Sequence, residues 1–315
     1  MSARSTRLLA VLACGLSIVL GGCAADVESA VLPQAQTGAA AVTAPVSPRP
    51  DPAHAHTVTM PFDGGQRSYT AMSPSGPHAQ PLPLVVVLHG AFVTGSTELA
   101  RTGFGRLADE GAAVVVAPES IGPAWNSDAG CCATAAAEHV DDAGFVRTVI
   151  GDVQRTDHTD PQRISVVGYS SGGKLAYNVA CADRPGIAAL ATYGAGPQLP
   201  CHTSTPVTFA VGYGDKDINE PMLGAPPNSH GVHQPQSETV AQLRTRDGCS
   251  ATPTHQQTAG PAAVTTWGSC RTPATVTQVI WHGSTHQWPG SAPDVPSEAS
   301  GEALFWPIVS AARTA

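Results

Sequence analysis

Serine, histidine and an acid can together cleave an acyl bond, and this chain offers all three at suggestive positions. The segment "VVGYSSGGKLAY" (166–177) contains Gly168-Tyr169-Ser170-Ser171-Gly172, a G-x-S-x-G pentapeptide centred on Ser170. A serine hydroxyl is a weak nucleophile at neutral pH and needs an adjacent base. Downstream, "WHGSTHQWPG" (281–290) supplies His282 and His286, and "YGDKDINEP" (213–221) supplies Asp215, Asp217 and Glu220. An acid is needed to hold the imidazole tautomer and stabilise the imidazolium. The order serine, acid, histidine is the chain order of enzymes that place the serine on a sharp strand-to-helix turn. His286, in a loop of small residues beyond a strand, is the expected base, whereas His282 ends the strand and is expected to bond locally. Position alone leaves Asp215 and Asp217 open.

Such groups work only if the chain brings them together, so the elements around them matter. Five apolar runs read as buried parallel strands: 82–90, 112–119, 163–168, 205–212 and 274–282. Helical stripes alternate with them. In 140–153, Val146, Val149, Ile150 and Val153 recur at helical spacing behind Asp141 or Asp142 as the cap. In 170–181, Leu175, Ala176, Val179 and Ala180 do the same, and 237–249 starts at Ser237 and stops at Gly248. The expectation is an α/β fold, a mostly parallel central sheet with helices on both faces. Such a sheet carries its chemistry in loops at the carboxyl ends of strands. Ser170 falls between a strand and a helix, where Gly168 and Gly172 leave room for a tight turn. Its neighbour Ser171 would offer a backbone N–H at a helix amino end, a favourable place for negative charge. The second oxyanion donor should lie after an early strand, in His89-Gly90-Ala91-Phe92; Ala91 is the first choice and Phe92 the alternative. His89 is expected to hold that loop. Trp125 and Trp288 are the aromatics expected to flank an acyl or aryl group. The pair His230 and His233 is read as part of a loop, and no metal site is expected.

The ends and the composition bound the setting. Arg4 and Arg7 precede the apolar stretch 8–20, which is too short to span a bilayer and reads as an export signal. It ends in Leu20-Gly21-Gly22-Cys23, a tetrapeptide that resembles the bacterial lipobox; residues 1–22 would be removed and Cys23 lipidated. Residues 23–56, rich in Ala, Pro, Ser and Thr, read as a disordered tether, and 57–315 as one enzymatic domain. The expected location is the outer face of the cell membrane, held by the acyl chains, or the medium. Formal charge is -8, which argues against a nucleic-acid partner. Six cysteines follow Cys23: Cys131, Cys132, Cys181, Cys201, Cys249 and Cys270. An even number in an exported chain reads as three disulfides, with fifteen connectivities open. Cys249–Cys270 is the pair that stands out, closing a flap of strand and turn. A monomer is expected, and the chemistry requires no cofactor.

With these residues in view, the domain resembles the secreted esterases that include polyhydroxybutyrate depolymerases and carbohydrate-esterase-type feruloyl and acetylxylan esterases. The likeness runs over nearly all of 57–312. It is carried by "LHG" (88–90), "WNSDAGCC" (125–132), "VDDAGFVRTVI" (140–150), "RISVVGYSSGGKLAYNVAC" (163–181), "GDKDINEP" (214–221) and "THQWPG" (285–290). The resemblance implies an α/β-hydrolase fold and a Ser-Asp-His triad. Its acid motif, G-x-x-D with proline four residues on, is similar to Gly214, Asp217 and Pro221, which favours Asp217. Its H-x-W-P-G motif is met by His286, Trp288, Pro289 and Gly290. Two positions depart from the pattern, Tyr213 standing where histidine is usual and Ser171 where asparagine is common. The implied substrate is an ester: a hydroxyalkanoate polyester, a feruloyl or acetyl polysaccharide ester, or a small lipid ester. A cell-envelope acyltransferase using the same acyl-enzyme, and a non-catalytic envelope binder, are the rival expectations.

Overall fold

A computed structural model describes residues 55–76, 78–182, 186–291 and 295–314. The leader, Cys23 and the tether up to 54 lie outside the described residues. The strands are β1 (His56–Phe62), β2 (Gly65–Met72), β3 (Leu82–Leu88), β4 (Val114–Pro118), β5 (Thr159–Tyr169), β6 (Ala189–Tyr193), β7 (Thr208–Gly214), β8 (Ala225–Asn228), β9 (Gly231–His233), β10 (His255–Ala259), β11 (Ala262–Trp267) and β12 (Val276–Trp281). The helices are α1 (Gly95–Thr102), α2 (Arg106–Asp109), α3 (Ala133–Ala137), α4 (Asp142–Thr156), α5 (Ser171–Cys181), α6 (Gln236–Asp247) and α7 (Gly301–Ala311).

Ten strands form one sheet in the order β1-β2-β4-β3-β5-β6-β7-β12-β11-β10. The six central strands run parallel, while β1, β2, β10 and β11 extend the edges as antiparallel hairpins. The two-residue period of a strand splits the core into two layers. Leu84, Val86 and Leu88 pack with Val166, Leu190 and Val211 against Phe145 and Val149 of α4, Leu175 and Val179 of α5, and Val240 and Leu243 of α6. Their alternates Val85 and Val87 join Val167, Ala189 and Ala210 against Leu99 of α1, Leu107 of α2, and Phe305 and Val309 of α7. The chain is therefore a three-layer α/β structure in which the loops at the carboxyl ends of β3, β5, β7 and β12 share one rim.

Local signals set the helix ends. Asp141 accepts from the Gly144 N–H at 2.8 Å and so caps α4, while Asp142 points inward to a buried ion pair with Arg67 at 2.7 Å. Gly248 ends α6 in the left-handed conformation at φ 62°. The start of α6 differs from expectation: Pro235, not Ser237, precedes its first turn, and no side chain caps it. Strand β1 opens at His56, one residue inside the segment assigned to the tether. His233 lies in the short β8–β9 hairpin rather than in a loop.

The sulfurs pair as Cys131–Cys132, Cys181–Cys201 and Cys249–Cys270. The last of these ties the end of α6 to the turn after β11. Among the described residues, no helix is long and apolar enough to cross a membrane.

Candidate active site

Ser170 follows β5 directly and precedes the first residue of α5. Its backbone is held at φ 53°, ψ -121°, a region that L-residues with side chains avoid and that costs on the order of 1–3 kcal/mol. The surroundings enforce it. A methyl group on Gly168 would lie 2.5 Å from the Gly172 carbonyl oxygen, and one on Gly172 would collide with the Leu88 carbonyl. Strand β5, helix α5 and the end of β3 therefore touch backbone to backbone, and the turn that results lifts the serine Oγ out of the sheet rim.

His286 stands five residues beyond β12 and reaches back to that serine. Its Nε2 lies 2.9 Å from Ser170 Oγ, and its Nδ1 lies 2.6 Å from Asp217 Oδ2. The Asp217 side chain is wholly buried. Its other oxygen, Oδ1, accepts from the N–H groups of Asn219 and Glu220, each at 2.9 Å. Both carboxylate oxygens are thus committed, one to the histidine and one to its own loop, and the ring is fixed in the tautomer with Nδ1–H. Tyrosines at two strand ends hold the histidine loop: Tyr169 donates to the His286 carbonyl, and Tyr193 donates to the Thr285 carbonyl at 2.5 Å. Asp215 is not part of this constellation. It accepts from the Gly283 N–H at 2.7 Å and faces His282 Nδ1 at 3.1 Å, and these bonds hold its carboxyl below the usual range.

The loop after β3 presents three consecutive N–H groups. That of Gly90 points to Glu98 Oε2 at 3.4 Å, and that of Phe92 donates to the Pro123 carbonyl at 2.7 Å. The Ala91 N–H has no partner among the described residues and lines the cleft with Ser170 and Ser171. The Ser171 N–H, at the start of α5, is likewise unpaired among them. Two free donors therefore border the serine, one from each loop. His89 braces this loop from below. Its Nε2 accepts from the Ser120 N–H at 3.2 Å and its Nδ1 lies 2.8 Å from the Gly90 carbonyl, while burial depresses its pKa and keeps it neutral.

Trp125 and Trp288 are elsewhere than expected. Both are essentially buried, and neither lines the cleft around Ser170. Trp125 packs against the His89 ring and donates from Nε1 to the His89 carbonyl at 2.8 Å. Trp288 packs among Phe104, Tyr193 and Phe305 in the α7-side core. An indole is the largest apolar side chain, so a core claims it as readily as a pocket does. The rings that do line the cleft are Tyr169 and Phe92, the latter 84% exposed at its mouth. Tyr213 also avoids the cleft; it is fully buried and donates to the Ala195 carbonyl at 2.7 Å.

The cleft has a volume of about 280 Å³. Three charged residues line it: Arg101 and Lys174, to which the motifs give no role, and Glu220, a candidate acid whose place beside His286 is taken by Asp217. Lys174, one turn into α5, pairs with Glu220 Oε2 at 2.9 Å and donates to the His230 carbonyl at 2.5 Å. The same Glu220 oxygen meets His233 Nδ1 at 2.9 Å. These groups are nearly inaccessible, and they join the helix behind the nucleophile to the acid loop and to the β8–β9 hairpin. Among the described residues, no cluster of His, Cys, Asp and Glu is placed to hold a metal ion.

Comparison with known proteins agrees with this architecture. A family model of the alpha/beta hydrolase fold matches residues 85–206, the segment from β3 past the serine turn and β6. A protein of Nocardia uniformis subsp. tsuyamanensis that bears the name "Putative esterase NocK" is 26% identical over 256 residues, covering 72% of each chain. Among solved structures, the acetyl xylan esterase from Aspergillus awamori superposes with a TM-score of 0.55 at 14% identity, over 74% of this chain and 94% of that one. The ferulic acid esterase from Anaeromyces mucronatus superposes at 0.51 and 12% identity, over 82% and 90%. The solved structures and the family model show the fold: the chain has the alpha/beta hydrolase fold, and it is similar to proteins named as esterases.

Proposed function

We propose that the protein is an extracytoplasmic serine esterase that cleaves carboxylic esters through a Ser170–His286–Asp217 triad. One observation carries the reading: a single imidazole bridges the hydroxyl of a strained turn serine at 2.9 Å and a buried carboxylate at 2.6 Å. Ser170 Oγ attacks the ester carbonyl carbon while His286 Nε2 takes its proton. The carbonyl oxygen becomes an oxyanion and is met by the N–H groups of Ala91 and Ser171. Collapse expels the alcohol, which receives the proton from His286, and leaves an acyl group on Ser170. Water then attacks the acyl carbon as His286 accepts its proton. The second collapse releases the acid and returns the proton to Ser170. Asp217 stays ionised throughout, orienting the ring and stabilising its protonated form.

The cleft suits a short acyl or an aryl acyl group rather than a long chain, and the acetyl xylan and ferulic acid esterases of similar fold point the same way. The export leader, the lipobox at Cys23 and three close cysteine pairs support a location at the outer face of the membrane, anchored by lipid, with the enzyme acting as a monomer. The test is hydrolysis of 4-nitrophenyl acetate and methyl ferulate by the purified protein beside Ser170→Ala. Loss of turnover in the folded variant is the expected result. Equal turnover in the variant would refute the proposal.

A further inference from the structure

Arg101 is a cation at the cleft that the triad chemistry does not use. It sits in the last turn of α1, and its guanidinium lies 5.4 Å from the ring centre of Tyr169, the residue before the nucleophile. It is the one residue shared by the linings of the catalytic cleft and of a second cavity of about 710 Å³, bordered by Leu99, Gly105, Pro289 and Gly290. A guanidinium has five N–H donors. Among the described residues, those of Arg101 make no hydrogen bond to protein. The nearest acceptor is Glu98 Oε2, in an ion pair at 3.6 Å, and the Arg101 side chain is 27% exposed.

That partner is a weak counter-charge. The Glu98 side chain is fully buried, its Oε1 has no hydrogen-bond partner, and burial pushes its pKa up to about 7 despite the nearby Arg101. The contrast with Lys174 is instructive. That cation also lines the cleft, but it is bound to Glu220 and to the His230 carbonyl and has little left to offer. Arg101 is held in place by a ring and keeps its donors for something else. The protein's net charge of -8 repels anions at long range, so only a local cation could favour one.

We propose that Arg101 is a specificity-determining residue that binds a carboxylate carried by the ester substrate, so that the enzyme prefers anionic esters over neutral ones of the same size. The inference rests on the esterase reading. The planar fork of arginine matches a carboxylate, and Arg101 is two ring contacts from His286 by way of Tyr169. The carboxylate could belong to the acyl part or to the alcohol part of the substrate, and the test separates these.

The measurement is kcat/KM for two matched pairs. Mono-4-nitrophenyl adipate against 4-nitrophenyl hexanoate places the charge on the acyl side. 4-Acetoxybenzoate against phenyl acetate places it on the alcohol side. In the wild type, the anionic member of one pair should be favoured at least about tenfold, as a charge-assisted hydrogen bond to carboxylate requires. That ratio should fall by about the same factor in Arg101→Gln and by less in Arg101→Lys, which keeps the charge but loses the fork. Glu98→Gln, which removes the counter-charge and leaves Arg101 in place, should raise it, and this variant decides the matter if Arg101→Gln does not fold. Wild-type ratios near one in both pairs, or a ratio unmoved by Arg101→Gln, would overturn the proposal while leaving the esterase standing. Failure of the folded wild type on all four esters would overturn both.

Discussion

Replacing Lys174 by methionine should cost this protein several kcal/mol, and the structure says why. Lys174 Nζ and Glu220 Oε2 are 2.9 Å apart, and each side chain is 4% exposed. At an effective dielectric of about 20, the attraction between unit charges at that distance is on the order of 6 kcal/mol, set against the desolvation of both. Methionine fills the aliphatic space but leaves the Glu220 carboxylate buried without its cation. Breaking a buried pair from one side typically costs about 3–5 kcal/mol. His233 can take up part of the loss, because its Nδ1 faces the same oxygen at 2.9 Å. The expected result is a fall in the urea midpoint at constant slope worth about 3–5 kcal/mol. The double variant Lys174→Met/Glu220→Gln should recover most of it, since the stranded charge is gone. Catalysis should suffer too, because the Glu220 N–H helps hold Asp217. A loss below about 1 kcal/mol, or a double variant no more stable than the single one, would refute the argument.

Other outcomes follow from single contacts. Asp217→Asn should lower kcat by roughly 10³–10⁴ by favouring the wrong histidine tautomer, whereas Asp215→Asn, which alters only the His282 loop, should change it less than about fivefold; steady-state kinetics on one aryl ester separates them. Glu98 is raised from 4.5 to about 7, so the folded state holds its proton longer than the unfolded chain does. Its burial is tolerated below pH 4.5 and penalised progressively as pH rises to about 7. Glu98→Gln should therefore stabilise the protein at pH 8, by up to roughly 3 kcal/mol, and have little effect at pH 4.5, as denaturant melts at the two pH values would show. Removing both Cys249 and Cys270 opens a closure spanning 21 residues and should cost about 3 kcal/mol, measurable as a lowered melting temperature under non-reducing conditions.

Five of the six central strands were legible because both their faces are buried. Val85, Val86 and Val87 serve opposite core layers, so the run is apolar without alternation. The edge strands gave no such signal. His255–Ala259 exposes most of its residues and reads as loop. Among the central strands β6 also escapes notice, because it is only five residues long and two of them are alanine. Helices α1, α2, α3 and α7 were missed for a related reason: α2 and α3 are too short to show a period, and α7 carries Pro307 inside it. Ser170 and His286 could be named because each stands a short distance beyond a recognisable strand, whereas position left Asp215 and Asp217 open and the resemblance of Gly214, Asp217 and Pro221 to the family's acid motif favoured Asp217. Lys174 and Arg101 could not be assigned to the cleft, nor Glu220 to its pair with Lys174, since their contacts cross 46 residues of chain or depend on which way one helix faces. Trp125 and Trp288 were misplaced because an indole suits a core and a pocket equally, and only the packing decides.

The most direct test of the account is covalent. An alkyl fluorophosphonate mimics the tetrahedral intermediate and reacts only with a serine that has a base and an oxyanion site. The purified protein should gain one adduct, located by fragmentation of the tryptic peptide 164–174 to Ser170 rather than Ser171. The adduct should vanish in Ser170→Ala and form far more slowly in His286→Ala. A folded protein that takes no label, or one labelled equally well without Ser170, would contradict the triad.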